Sequence, residues 1–198
     1  MEFSIENTEV FGLNKSFIAS GNAMRTVMDD NTLHFQEKDL KRAITLGKTK
    51  TGEGHDNFLN GIVIQFDLYA PLYMWKQIQR YHFMDFISSQ STMHKLINFN
   101  IRSQCVKETD PVILERYQIL LDGYNSDEIK SNDKWRTLVA SLPCGFVLGA
   151  TMTTNYRQLK TIYLQRKHHK LKEWHEFCEW CESLPYFIDL LGIEKKGD

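Results

Sequence analysis

Between Gly61 and Tyr69 the chain alternates strictly, with Ile62, Ile64, Phe66 and Leu68 on one side and Val63, Gln65 and Asp67 on the other. A period of two over this length marks a strand with one buried face. Ala70-Pro71 follows at once, and a proline lacking its N–H suits the first turn of a helix, so the next element is predicted to be a helix running to about Phe86.

Other segments are read in the same way. Met1 to about Ser20 alternates weakly, as at Val10, Phe11 and Leu13, and reads as a strand or edge segment. Leu40, Ala43, Ile44 and Leu46 lie at helical spacing between basic residues, which predicts a short amphipathic helix over 38–46 ending at Gly47. Residues 48–60 are polar, contain Gly52 and Gly54, and read as a loop. A helix is expected from Asp110 to Tyr124, a break over 122–127, and a helix or extended segment through Trp135 and Leu138. The block from about Thr151 to Leu184 reads as one long helix. On it Asn155, Leu159, Ile162, Arg166, His169 and Glu173 share a face, which is either a mixed apolar and ionisable stripe or the solvated side opposite a core of Tyr156, Tyr163, Leu164, Leu171 and Trp174.

A length of 198 residues with 42% hydrophobic and 12% aromatic content suits one domain with a substantial core. The 24 basic and 25 acidic residues nearly cancel, so no nucleic-acid-binding surface is expected and any phosphate site must be local. No apolar run approaches the roughly 18 residues of a membrane span, no leader is evident, and the expected location is cytoplasmic. Cys105, Cys144, Cys178 and Cys181 are too scattered for a disulfide framework and read as free thiols. Cys178-x-x-Cys181 lies near His168, His169 and His175, but there is no second ligand pair at matching spacing, so no metal is expected.

The predicted helix after Pro71 carries Gln77 and Arg80 one turn apart and then delivers Ser88-Ser89-Gln90-Ser91-Thr92, where backbone N–H groups would be free. Hydroxyl, amide and guanidinium groups so arranged suit an anionic ligand such as a nucleotide. The same residues also read as a polar turn with a helix cap, and Arg80 and Arg166 as surface or ion-pair residues.

This stretch, from Ala70-Pro71 through Gln77 and Arg80-Tyr81-His82 to Ser88-Ser89-Gln90-Ser91, resembles the signature region of the flavin-dependent thymidylate synthases. There Ala-Pro opens a helix carrying a Gln, and an Arg-His-Arg element and Asn-Glu-x-Ser-x-Arg follow. A second block is similar to that family's second signature: Leu142-Pro143, Thr153, Asn155-x-Arg157, Leu159, Arg166, and the pair His169 and Glu173, with one residue deleted before His169. The loop Gly54-His55-Asp56-Asn57 also resembles the family's Gly-His loop. The two blocks keep the family's order over roughly His55 to Glu173.

The resemblance implies an α/β (α+β) fold, a single domain over 1–198 with long helices packed on a central twisted, antiparallel-rich sheet. It implies a homotetramer with active sites between subunits. It also implies FAD and the reductive methylation of dUMP to dTMP, with methylenetetrahydrofolate as carbon donor and NADPH as reductant. No cysteine is needed for that chemistry, and neither motif contains one. By position, His55, Asn57, Arg80, His82, Asn155, Arg157 and His169 would contact the flavin. Gln77, Ser88, Ser89, Gln90, Ser91 and Arg166 would contact the pyrimidine nucleotide, with Arg80, Ser91 and Arg166 in the catalytic set.

The sequence departs from the family at several of these places. Tyr81 stands for the motif's histidine and His82 for its second arginine, Ser88 and Ser89 for Asn-Glu, Asn60 and Gly61 for Glu-His, and Met93 and Val139 for arginines. Two lost cations remove charge-assisted bonds worth roughly 1.5–3 kcal/mol each. Either Lys95, Arg102 or Arg136 substitutes, or the acceptor is a different pyrimidine nucleotide, the group transferred is hydroxymethyl, or the chain binds nucleotide or flavin without catalysis.

Overall fold

The computed structural model describes residues 1–28 and 34–193. In chain order the elements are β1 (Ser4–Phe11), α1 (Leu13–Ala19), α2 (Glu37–Gly47), β2 (Val63–Pro71), α3 (Leu72–Ile78), β3 (Asp85–Ser89), α4 (Thr92–Lys95) and α5 (Ile101–Gln104). They continue with α6 (Pro111–Asn125), α7 (Asn132–Ala140), β4 (Val147–Asn155), α8 (Tyr156–Arg166), α9 (Lys172–Ser183) and α10 (Phe187–Leu191). The strands form one antiparallel sheet in the order β1-β2-β4-β3. Pairing of β2 with β4 is bracketed by two backbone bonds of 3.0 Å, from Leu72 N–H to the Phe146 carbonyl and from Tyr156 N–H to the Ile62 carbonyl. That register sets Asp67 beside Thr151 and Tyr69 beside Gly149.

The chain divides into two compact units, and each of the four strands contributes residues to both. The first unit comprises Met1–Glu6, Asp67–Arg80 and Phe86–Met152. Its core is Leu96, Ile101, Cys105, Tyr117, Leu121, Tyr124, Leu138 and Phe146, drawn from the turn after α4, α5 and the residue that follows it, α6, α7 and the approach to β4. Helix α6 starts where it does because Asp110 accepts the Val112 N–H at 2.8 Å and Pro111 has no N–H to satisfy.

The second unit begins at Asn7, runs to Phe66, takes in Tyr81–Asp85, and resumes at Thr153. The predicted inward row at and just before β2 is buried as expected: Ile62, Ile64 and Phe66 here, and Leu68 in the first unit, are at most 1% exposed. Trp174, Tyr156, Phe177 and Phe187 are fully buried in this unit, with edge-to-face ring contacts such as Tyr156 to Phe187 at 5.5 Å. Among the described residues, no helix is long and apolar enough to cross a membrane.

Several expectations fail in instructive ways. The helix after Pro71 stops at Ile78 instead of about Phe86. Phe83 takes a left-handed backbone with φ of 60°, its carbonyl accepts the Thr154 hydroxyl at 2.7 Å, and the reversed chain leaves as strand β3. The long helix from Thr151 does not exist. Its Thr-rich start is the end of β4, Asn155 caps α8 by accepting the Gln158 N–H at 2.9 Å, and 167–171 separate α8 from α9. Both alternatives for its core are partly realised, since Leu159, Ile162, Tyr156, Tyr163 and Trp174 are all buried while Leu164 is exposed. The expected break at 122–127 begins only after Asn125, and Gly123 is helical. The N-terminal segment is strand only to Phe11, and Leu13–Ala19 is a helix.

Candidate functional site

In the first unit a hollow of ≈ 240 Å³ is lined by Asp67, Tyr69, Ser88, Ser89, Gln90, Gly149, Ala150 and Thr151. A second hollow of ≈ 210 Å³ shares Ser89, Gln90, Gly149 and Ala150 and adds Leu72, Trp75, Gln79, Phe86 and Leu148. The first is polar and the second is aromatic, with Trp75 and Phe86 ring centroids 5.1 Å apart. Gln90 holds the shared wall. Its backbone N–H donates to the Gly149 carbonyl at 2.9 Å, and its side-chain oxygen accepts the Gly149 N–H at 2.8 Å. Thr151 donates to Asp67 at 2.6 Å. A Cβ on Gly149 would lie 2.6 Å from the Tyr69 ring, so only glycine allows this close approach.

Ser88 and Ser89 thus lie in edge strand β3, all five residues of which are exposed, and not at a helix end. Ser91 caps the short α4 by accepting the His94 N–H at 3.3 Å. The polar hollow has no Lys, Arg or His among its lining residues and one carboxylate, Asp67. Apart from Asp67 its donors and acceptors are neutral hydroxyl and amide groups, which with that carboxylate suit a sugar or a base edge better than a phosphate. Gln77 is half-buried on α3, and Arg80 is exposed just after it.

In the second unit Arg166, at the last turn of α8, is held by two aromatic residues. Its Nε donates to the Tyr81 hydroxyl at 2.6 Å, and its guanidinium carbon stands 5.4 Å from the Tyr81 ring centre and 4.7 Å from that of Trp174. Tyr81 in turn donates to the Gln165 side chain at 3.1 Å. The imidazole of His169 stands 6.3 Å from the Trp174 ring. Burial lowers its pKa, the charges of Arg166 and His175 lower it further, and Glu173 opposes them. Its Nδ1 accepts the Leu171 N–H at 3.2 Å, which fits a neutral ring protonated at Nε2. Tyr81, Arg166, His169 and Trp174 therefore form one cluster.

Arg157 stands elsewhere in this unit, 3.4 Å through Nε from the wholly buried carboxylate of Asp56. The buried ammonium of Lys160 reaches the same carboxylate at 2.9 Å and the carbonyls of Gly47 and Thr49 at 2.8 Å. His55, Asn57 and His82 are exposed, and Asn155 is engaged as the α8 cap. The sequence reading missed Asp56 as a buried anchor and Lys160 as its counter-charge. The available signal was Lys160 itself, next to Leu159 and one turn from Tyr156 and Tyr163 on a helix side otherwise apolar. Cys178 and Cys181 are buried on α9. Burial pushes the Cys178 thiol up to about 12 and also raises Cys181, so neither is poised as a nucleophile.

No family model matches the sequence, and no curated protein is similar enough to it to count as a relative. Solved structures do match. The flavin-dependent thymidylate synthase ThyX from Helicobacter pylori, complexed with FAD and dUMP, covers 96% of this chain and 97% of its own at 15% identity with a TM-score of 0.69. A second structure of that enzyme, also with FAD and dUMP, gives a TM-score of 0.71 at 15% identity, covering 96% of this chain and 97% of its own. The UMP/dUMP methylase PolB from Streptomyces cacaoi, bound with 5-Br dUMP, gives 0.66 at 14% identity, covering 96% of this chain and 95% of its own. Identities this low carry architecture and nothing finer, and that architecture extends over nearly the whole length of the chain. By the order of its strands and helices, this chain has the flavin-dependent thymidylate synthase fold.

Proposed function

We propose that the chain is a flavin-dependent enzyme that methylates a pyrimidine nucleotide and, more narrowly, that it converts dUMP to dTMP with methylenetetrahydrofolate as carbon donor and NADPH as reductant. The observation that carries this reading is the match over 96% of the chain to structures holding dUMP or its brominated form. The neutral donors of Ser88, Ser89 and Gln90 support it, because they offer hydrogen bonds to a sugar or base beside the Trp75 and Phe86 rings. A homotetramer and a cytoplasmic location belong to the same proposal.

The donor chemistry fits FAD. Among the described residues the partly exposed guanidinium of Arg157 has one long ion-pair contact, through Nε, and Asn57 and His82 are exposed in the same unit. These residues, with His169, would hold the group in the second unit. When bound, FAD supplies the redox equivalent that reduces the transferred carbon. The chain's own part is to orient and to supply fixed charge. Arg166 is held in place by Tyr81 and Trp174, so it supplies a charge of fixed position in the second unit.

A second reading, methylation or hydroxymethylation of a different pyrimidine nucleotide, is favoured by one observation. Met93 is 54% exposed on α4 where the resembled family has a substrate-binding arginine. Purified protein incubated with FAD, NADPH, methylenetetrahydrofolate and either dUMP or UMP tests both readings, with mass spectrometry of the nucleotide as readout. Methylated dUMP supports the first reading, and modification of another nucleotide alone supports the second. A protein that neither retains flavin nor changes the spectrum of added FAD refutes both.

A further inference from the structure

Helix α9 has one face that neither the nucleotide nor the flavin uses. His175, Cys178, Glu179 and Glu182 follow the i, i+3, i+4, i+7 spacing of a single helix side, and all four line one hollow of ≈ 390 Å³ in the second unit. That volume exceeds those of the two hollows of the first unit and lies within the roughly 300–1,000 Å³ of small-molecule sites. The rest of the lining is Tyr163 on α8, Lys167 and His168 just after it, and the aliphatic pair Ile188 and Ile193.

The hollow gathers opposite charges without pairing them. Among the described residues Glu179, Glu182 and Lys167 form no ion pair. They nevertheless converge on the Cys178 thiol, which is 4% exposed: burial raises its pKa, Glu182 and Glu179 raise it further, and Lys167 opposes them. The His175 ring stands 2.6 Å through Nε2 from the His169 carbonyl and engages neither glutamate. Glu182 is held in place from inside the fold. The Tyr163 hydroxyl, on a side chain 4% exposed, donates to its Oε1 at 2.6 Å. Burial and then the carboxylate raise the Tyr163 pKa, so the hydroxyl keeps its proton and the acceptor stays oriented, with Oε2 unbonded among the described residues.

Exposed Lys and Glu are ordinarily no more than solvated. These share one hollow with a carboxylate oriented by a buried tyrosine and with aliphatic carbon. A simple anion entering there would meet Glu179 and Glu182, and a simple cation would meet Lys167. A ligand bearing both charges and a short apolar group satisfies the whole lining. We propose that this hollow binds a small zwitterion, an α-amino acid with an aliphatic side chain. Glu182 and Glu179 hold its ammonium, Lys167 holds its carboxylate, and its side chain lies against Ile188 and Ile193. The site is confined to the second unit, and nothing in it requires the enzymatic proposal to hold.

Isothermal titration calorimetry of the full chain with L-leucine tests the site, against isoamylamine, which lacks the carboxylate, and isocaproate, which lacks the ammonium. Leucine is expected to bind saturably, and each single-charge analogue about tenfold more weakly or not at all. Glu182→Gln and Lys167→Met each remove one charge with little change of shape and should each weaken leucine by about tenfold. Tyr163→Phe releases Glu182 from its orienting bond and should weaken leucine less. Isocaproate should lose nothing in Glu182→Gln, a selectivity that a collapsed hollow does not give. Absence of saturable leucine binding overturns the proposal, as does isoamylamine binding as tightly as leucine. Leucine binding that Glu182→Gln and Lys167→Met both leave unchanged also overturns it, because the ligand then lies elsewhere on the chain.

Discussion

The hollow of the first unit and the carboxylate clusters of the second treat polarity in opposite ways. Around the hollow, Ser88, Ser89 and Gln90 are exposed and uncharged, and the Asp67 carboxylate is met by a threonine hydroxyl. In the second unit Asp56 is wholly buried between Lys160 and Arg157, and the carboxylate of Asp39 is buried beside Arg42 and Arg25. Arg157, a cation that the resemblance assigns to a ligand, thus stands against an interior carboxylate, and the hollow is lined by neutral groups apart from Asp67. Charge in this chain is first a structural resource, and recognition in the hollow rests on hydrogen-bond direction and aromatic surface.

The contrast is broken most forcefully at Lys160. Lys160→Ala leaves Asp56 buried with only the longer contact to Arg157, and removing one member of a buried pair costs about 3–5 kcal/mol. Urea denaturation should show that loss in the midpoint, and a loss below ~1 kcal/mol would mean that water reaches Asp56. Gly149→Ala tests the other region. Its new methyl meets the Tyr69 ring, so about 1–3 kcal/mol of overpacking is expected, together with weaker nucleotide binding by calorimetry. Unchanged affinity would detach the nucleotide from this hollow.

Tyr81→Phe is a smaller probe. It removes the hydroxyl that bonds Arg166 but keeps the ring, for about 0.5–1.5 kcal/mol of stability, and should reduce turnover more than flavin retention. Equal loss of both would make the Arg166 cluster a packing feature only. The gentlest test is acid. Burial by itself would raise the Asp39 pKa, but hydrogen bonds from Arg42 and the Gln36 N–H, with the Arg42 and Arg25 charges, outweigh it and hold the carboxyl below its ordinary 3.8. A depressed folded pKa gives stability that is present above 3.8 and lost as pH falls through the lower folded value. Asp39→Asn should flatten that part of the acid-unfolding curve, and an unchanged curve would contradict the pairing.

Legibility in the sequence followed the strength of local periodicity. Strand β2 was plain because Ile62, Ile64, Phe66 and Leu68 alternate without interruption, and α2 because its apolar residues keep helical spacing. Strand β4 was hidden. Its final residues Thr151 to Asn155 run into α8, and a helical stripe extrapolated backwards from Leu159 and Ile162 absorbed them. Strand β3 was hidden by the opposite fault, since its five residues are all exposed and show no alternation of burial. At the candidate site, the Ser88 to Gln90 run was visible as composition. Its pairing with Gly149 depends on residues some sixty positions away, and no local rule reports that. Asp56 and Lys160 are likewise joined across 104 positions, so a polar loop looked exposed when its aspartate was interior.

Strand β3 ends the sheet, and its side chains include Phe86 and Ile87 at 44% and 51% exposure. Its outer row of peptide groups is a template on which another extended segment can grow, and Asp85 is its sole charged guard. A chain that keeps the rim of its hollow on such a strand trades colloidal safety for access. In a concentrated or heat-stressed preparation, misassembly should begin at this edge, and a lysine introduced at Ile87 should delay turbidity without touching the core.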